Sequence, residues 1–340
     1  MCHELSRDLS RLCNAGGAAG LDEVARVAIE LLEPLCDAVW QDAMGNVLAV
    51  RCGDSETKPT LMLQAHMDEI GLLVTDVDEL GFIRVAAAGG IDRRVLATQP
   101  VLVHGEDTYN GVFCSVPPHL LKDEKKLPEL ADMGIDIGMD AAVARDRIPL
   151  GSRVTFAPNY CALNESVVTS KALDDRAGMM AIIHCLRLLK DTDANVSVAF
   201  CVQEELGCRG AAVAARRLDP RFALVTDVSF AMAPGEKPQE CGKLGGGVMI
   251  GHSPILDSAL TQLSIRVAKT AEKPYQDEVM GGRTGTDADV ISNCNYGIRT
   301  GLLSIPLRYM HTPNETADLR DIAAVGELMA GVAKEVGSLG

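Results

Sequence analysis

Apolar positions along the chain fall into two textures. Residues 4–36 carry helical spacing, interrupted by a glycine-rich break at Gly16–Gly20. After the break Leu21, Val24, Val27, Ile29 and Leu32 form a broad apolar face, and Asp22 and Glu23 stand at its start, where acidic groups suit a helix N-terminus. Residues 46–50 and 60–65 read as strands, and the second, TLMLQA, runs directly into His66. From residue 71 to 165 short β-like pieces (GLLVTDV, GFIRVAA, PVLVHG, GVFCSV, RVTFAP) alternate with Gly, Pro and Asp turns, with one brief helical stretch near residue 140. Helical spacing returns over 174–189, where Met179, Ile182, Leu186 and Leu189 share a stripe. Val196, Val198, Phe200 and Val202 then alternate like a strand that leads into Glu204 and Glu205, and FALVTD reads as a short strand ending at Asp227. The chain closes on the amphipathic pattern DIAAVGELMAGVAKEV. Such alternation predicts an α/β three-layer sandwich with a mixed, mostly parallel central sheet. A small β-rich, barrel-like domain over 71–165 would interrupt a catalytic domain made of 1–70 and 166–340.

Three apolar strands thus lead into side chains that bind metals: His66, the Glu204–Glu205 pair and Asp227. Sites in open α/β sheets lie outside the carboxyl ends of the strands. Asp174, in the polar turn KALDDRAG, and His311, after the run TGLLSIPLRYM, complete a set of imidazole and carboxylate groups. That chemistry suits zinc, cobalt or manganese. Each residue also has an ordinary reading: a surface histidine, a helix N-cap at Asp174, a solvated Glu-Glu turn, a loop at His311. Only their joint placement favours a metal centre.

Composition narrows the partners. The 340 residues carry a formal charge of −15, and aromatic residues are only 4% of the chain. An acidic surface with few stacking platforms argues against nucleic acid. No apolar run approaches the ~18 residues of a membrane span. The N-terminal stretch MCHELSRDLSRLCNAGG lacks the apolar region of a signal peptide. Eleven scattered cysteines with no C-x-x-C pair fit a reducing cytoplasm better than a disulfide framework or a zinc ribbon.

Six segments, in order, carry a resemblance: AHMDEIG (65–71), ALDDRAG (172–178), QEELGCRGA (203–211), TDV (226–228), GTDADVI (285–291) and YMHTPNETADLRD (309–321). Together they resemble the glutamyl/deblocking, TET-type aminopeptidases, a family of dinuclear metallopeptidases. The resemblance implies that His66 and Asp227 serve one metal, Glu205 and His311 the other, and that Asp174 bridges them. It implies that Asp68 orients His66 and that Glu204 is the general base for a metal-bridged water. Two divalent ions per subunit, zinc or cobalt or manganese, and peptide substrates follow from it. The segment GGIDRRVLATQPV (89–101) is similar to part of that family's inserted domain, which implies self-association from dimers to tetrahedral dodecamers.

The chain departs from the family in one loop. GGRTGTDADVI (281–291) replaces a sequence close to GGGTDAGAI, so Arg283, Thr286, Asp287 and Asp289 become candidates for contacting the substrate side chain. Asp289 would favour a basic residue and Arg283 an acidic one. The same two-metal scaffold would also serve an amidase, a deacylase or a dipeptidase. A glycan hydrolase built on Glu204 and Glu205 is the weaker alternative, since adjacent side chains point apart and both histidines would have no role.

Overall fold

The computed structural model describes residues 2–18, 20–52, 60–117, 119 and 128–339. Part of the 71–165 stretch, residues 118 and 120–127, lies outside that description. The helices are α1 (Cys2–Asn14), α2 (Glu23–Leu32), α3 (Ala141–Arg147), α4 (Leu173–Leu189), α5 (Arg209–Leu218), α6 (Ser258–Thr270), α7 (Ala288–Ile291) and α8 (Leu319–Glu335). The strands up to the end of the β-rich stretch are β1 (Ala38–Gln41), β2 (Val47–Arg51), β3 (Leu61–His66), β4 (Gly71–Val77), β5 (Ile83–Ala88), β6 (Pro100–His104), β7 (Thr108–Phe113), β8 (Ile135–Asp136) and β9 (Arg153–Phe156). Those after it are β10 (Cys161–Ala162), β11 (Val167–Ser170), β12 (Val196–Cys201), β13 (Phe222–Phe230), β14 (Val248–His252), β15 (Tyr275–Val279), β16 (Arg299–Arg308) and β17 (Glu315–Asp318).

Eleven strands form one mixed sheet in the order β1-β2-β12-β3-β13-β16-β17-β11-β10, with β14 pairing β15 and β16. Its centre, β12-β3-β13-β16, is parallel, and antiparallel pairs flank it on both sides. Central parallel strands are covered on both faces, which is why LMLQAH is buried at every position. Alternate residues serve opposite layers. Leu61, Leu63 and Ala65 pack with α1, α2, α4, α6 and α8, while Met62 packs with α5 and α7. Helix α4 is buried on almost every side because the sheet, α1 and α8 all press on it.

The β-rich stretch closes as a six-stranded barrel, β4-β5-β8-β7-β6-β9, with β4 and β9 sealing it at Leu72↔Val154. Its core comes from alternate residues such as Leu72, Val74, Val85, Val101, Val103 and Val154, the period of two that a barrel requires. The barrel begins at Gly71, five residues after β3 ends, so the link between the two sheets is Met67 to Ile70, directly after His66. The next strand, β10, already pairs with β11 in the large sheet.

Candidate active site

The side chains singled out in the sequence gather at one end of the parallel strands. His66 is the last residue of β3. Glu204 and Glu205 follow β12 in the turn that leads to α5. Asp174 opens α4, where it and Asp175 leave helical geometry. His311 lies between β16 and β17. Asp227 does not end its strand as the sequence pattern predicts: β13 continues past it, paired with β16 as far as Phe230↔Leu307, so this aspartate projects from within a strand. Among the described residues, five of the nine non-glycine positions with positive φ flank these groups: Ala172, Gln203, Cys208, Tyr309 and His311. Such backbone costs ~1–3 kcal/mol per residue and persists where function and packing fix it.

Asp174 is the centre of the arrangement. Its Oδ1 lies 2.9 Å from His66 Nε2 and its Oδ2 lies 3.3 Å from His311 Nε2. His66 Nε2 also approaches Asp227 Oδ1 at 3.9 Å, and His311 Nε2 approaches Glu205 Oε1 at 3.3 Å. Two half-sites result, sharing one carboxylate. Ligands about 2.1 Å from a tetrahedral divalent ion lie about 3.4 Å from one another, so these separations are those of neighbouring ligands. His66, Asp174 and Glu205 form one cluster able to hold an ion; Glu204, Cys208 and Asp287 form a second beside it. The first cluster, extended by Asp227 and His311 on either side of Asp174, fits a dinuclear divalent metal centre.

The protonation pattern supports this. Hydrogen bonds to Asp174 and Glu205 push His311 up to about 11. Burial disfavours the His66 cation, yet its bonds to Asp174 and Asp68 outweigh burial and raise it well above the usual range. Burial likewise opposes the Asp174 carboxylate, but the two imidazoles hold it well below the usual range. Burial, reinforced by Asp175, pushes Asp227 well up. Protons here stand in for positive charge that the carboxylates demand.

A second layer fixes these groups. His66 Nδ1 faces the backbone carbonyl of Asp68 at 3.1 Å, which leaves Nε2 to face Asp174. The Asp68 carboxylate lies 3.6 Å from the same nitrogen and accepts the backbone N–H groups of Glu204 (3.1 Å) and Glu205 (3.3 Å). Asp68 therefore ties the β3 end to the Glu-Glu turn. Glu315, which no sequence pattern singles out, acts in parallel. Its oxygens accept the N–H of Asp174 (3.0 Å) and of His311 (2.9 Å). Behind Asp174, the buried Lys171 ammonium contacts both oxygens of Glu69 at 2.9 Å, and Arg176 donates to the carbonyls of Leu12 and Ala15 at the end of α1. A Cβ on Gly17 would collide with the Arg176 guanidinium, so only glycine allows this approach. The barrel also reaches the site, since a Cβ on Gly90 would meet His311 Nδ1 at 2.9 Å.

The 281–291 loop divides. Thr286 lines the catalytic cavity. Arg283 and Asp289 line a neighbouring cavity instead, and Asp289 accepts the Thr284 hydroxyl and the N–H groups of Thr284 and Gly285. Asp287 is buried beneath Glu204; Gln64 donates to it, and burial followed by the Glu204 charge raises it to about 7.

A buried, carboxylate-bridged pair of half-sites on an α/β sandwich defines a two-metal hydrolase. The profile of the M42 glutamyl aminopeptidases matches residues 45–328, and the chain belongs to that family. It is a dinuclear metal-dependent aminopeptidase. It is 34% identical over 323 residues to a lysyl aminopeptidase of Pyrococcus furiosus, covering 92% of each chain. Aminopeptidase APDkam598 of Desulfurococcus kamchatkensis superposes with a TM-score of 0.91 at 33% identity, over 98% of this chain and 95% of that one. The Pyrococcus horikoshii TET1 peptidase, described as assembling into a tetrahedron or a large octahedral shell, superposes at 0.86 with 30% identity, over 97% and 99%.

Two outcomes are expected. Glu315→Ala releases two backbone donors that set the Asp174 and His311 positions, and should weaken metal binding by about 10–100-fold in a metal-buffered titration; unchanged affinity would remove Glu315 from the site's support. Ligation needs a neutral imidazole, and His311 keeps its proton in the metal-free site up to about 11, so binding expels that proton. Apparent affinity should therefore rise with pH between about 6 and 8, by up to about tenfold per unit for each proton released. A flat profile would contradict the assignment.

Proposed function

We propose that His66 and Asp227 hold one divalent ion, Glu205 and His311 a second, and that Asp174 is shared, so that the enzyme removes the N-terminal residue of peptides. The observation behind this reading is the pair of Asp174 oxygens facing two different imidazoles. Zinc, cobalt or manganese, when bound, would supply a more acidic water and charge stabilisation for the oxyanion. Glu204 lines the cavity beside the cluster, and burial first, then the neighbouring acids, raise its carboxyl. A raised carboxylate is suited to accept the proton of the attacking water and pass it to the leaving amine. Asp68 holds Glu204 in place through its backbone. The cavity is about 290 Å³, at the lower end of the range for small-molecule sites, which favours one terminal residue over a long stretch of chain.

The barrel, within a second domain spanning 71–165, is the proposed route to self-association, from dimers to dodecamers. Leu80 and Leu150 expose large apolar side chains there, at 76% and 70%. The P. horikoshii relative is described as assembling into a tetrahedron or a large octahedral shell. A cytoplasmic location is supported by the ten cysteines from Cys13 to Cys294, all free. No helix among the described residues is long and apolar enough to cross a membrane.

The test pairs unblocked aminoacyl p-nitroanilides with their N-acetylated forms. Turnover of the unblocked set is expected, falling by about 10²–10⁴-fold in Glu204→Gln with metal content retained. Cleavage of the acetylated set alone would favour a deacylase, and full activity in Glu204→Gln would remove the proposed base.

A further inference from the structure

Glu278 lies on the wall of the catalytic cavity and has no part in the metal cluster. It belongs to β15, an outer strand whose Gly251↔Glu278 pairing with β14 carries it toward β16. Its two oxygens are held separately. The Ser229 hydroxyl donates to Oε1, and the Ser304 hydroxyl donates to Oε2 at 2.6 Å. Ser229 stands two residues beyond Asp227 on β13, so both side chains leave the same face of the strand. Ser304 is the partner directly opposite Asp227 in the β13–β16 ladder. The strands that fix Asp227 therefore fix Glu278 too. At about 3.3 Å of rise per residue, Ser229 lies about 7 Å past Asp227.

No packing need explains a carboxylate here. Among the described residues its partners are the two serine hydroxyls, and no cation faces it. Burial raises its carboxyl, with the serines pulling the other way. The cavity lining nearby includes the apolar Phe230, Leu302 and Met310, and among the described residues no lysine or arginine lines it. An alkyl stem laid along that wall would bring a terminal cation to Glu278.

We propose that Glu278 receives the side chain of the substrate's first residue and selects a basic one, lysine foremost. This rests on the aminopeptidase reading above. A lysine stem of four carbons, laid from the metal cluster along β13, would cover a reach comparable to the about 7 Å between Asp227 and Ser229, whose hydroxyl holds the carboxylate. An aliphatic first residue leaves the Glu278 carboxylate with its two serine hydroxyls but no countercharge, and a site built for a polar group discriminates strongly against a substrate that lacks it. An acidic first residue meets like charge and no compensating cation. Arg283 and Asp289, which line the other cavity, take no part.

The test uses the metal-loaded enzyme with lysyl, arginyl, leucyl and glutamyl p-nitroanilides. The wild type should favour lysyl over leucyl and glutamyl by at least about tenfold in kcat/KM, and Glu278→Gln should lower the lysyl-to-leucyl ratio by about tenfold or more. A second arm measures binding of free L-lysine and L-norleucine by calorimetry. Lysine should bind the wild type more tightly, and Glu278→Gln should abolish the difference. A wild type that prefers leucyl or glutamyl substrates, or a variant that keeps the lysyl ratio, overturns the proposal. If no anilide is cleaved, the aminopeptidase reading fails on its own, and the lysine–norleucine comparison still decides the pocket. If Glu278→Gln does not fold, the wild-type selectivity and the same comparison decide it.

Discussion

A single carboxylate shared between two imidazoles constrains the rest of this molecule. Asp174 must present one oxygen to His66 and the other to His311. These histidines reach it from opposite sides, one from the end of β3 and one from the turn after β16. The surrounding shell is acidic: Asp68, Asp175, Asp227 and Glu315 are buried, and Glu204 and Glu205 lie half-buried beside them. Burying that much negative charge is tolerable only if cations answer it. The raised histidines and the raised Asp227 show the demand, and divalent ions would meet it more completely than protons.

The fold can be understood as the means of holding that geometry. The parallel centre of the sheet sets His66, the Glu204–Glu205 turn and Asp227 side by side, since β12, β3 and β13 are consecutive neighbours. Helix α4 brings Asp174, and its position is locked from behind by the Glu69, Lys171 and Arg176 cluster, which reaches the end of α1. The barrel adds a wall, with Gly90 against His311. Asp68 and Glu315 then convert these separate elements into one site, each bridging two segments far apart in sequence through backbone N–H groups.

How much of this the sequence disclosed depended on contrast. His66 follows an unbroken apolar strand, so a polar residue there stands out. The barrel strands were readable from alternation, and β4 occupies the GLLVTDV segment itself. Asp227 was visible but misplaced within its strand, because the apolar run FALVT breaks at the aspartate and only pairing with β16 shows that the strand continues. Glu315 and Glu278 lacked contrast altogether. Each sits in a polar stretch, NETAD or YQDEV, where an acid is the expected solvated residue. Only long-range pairing, β17 with β16 and β15 with β14, turns them inward. Conversely, Asp289 was conspicuous in sequence yet caps its own loop.

The glutamyl label of the family and the chemistry of this cavity need not coincide, because the pocket wall is built from strands whose side chains vary independently of the metal cluster. The shared carboxylate is the deeper claim, and diffraction tests it directly. Crystals grown with cobalt or zinc and measured at the metal's absorption edge should show two anomalous peaks flanking the Asp174 carboxylate, about 3.5–4 Å apart. One would lie against His66 and Asp227, the other against Glu205 and His311. A single peak, or a second peak at Glu204, Cys208 and Asp287 in place of the Glu205–His311 half-site, would contradict the account.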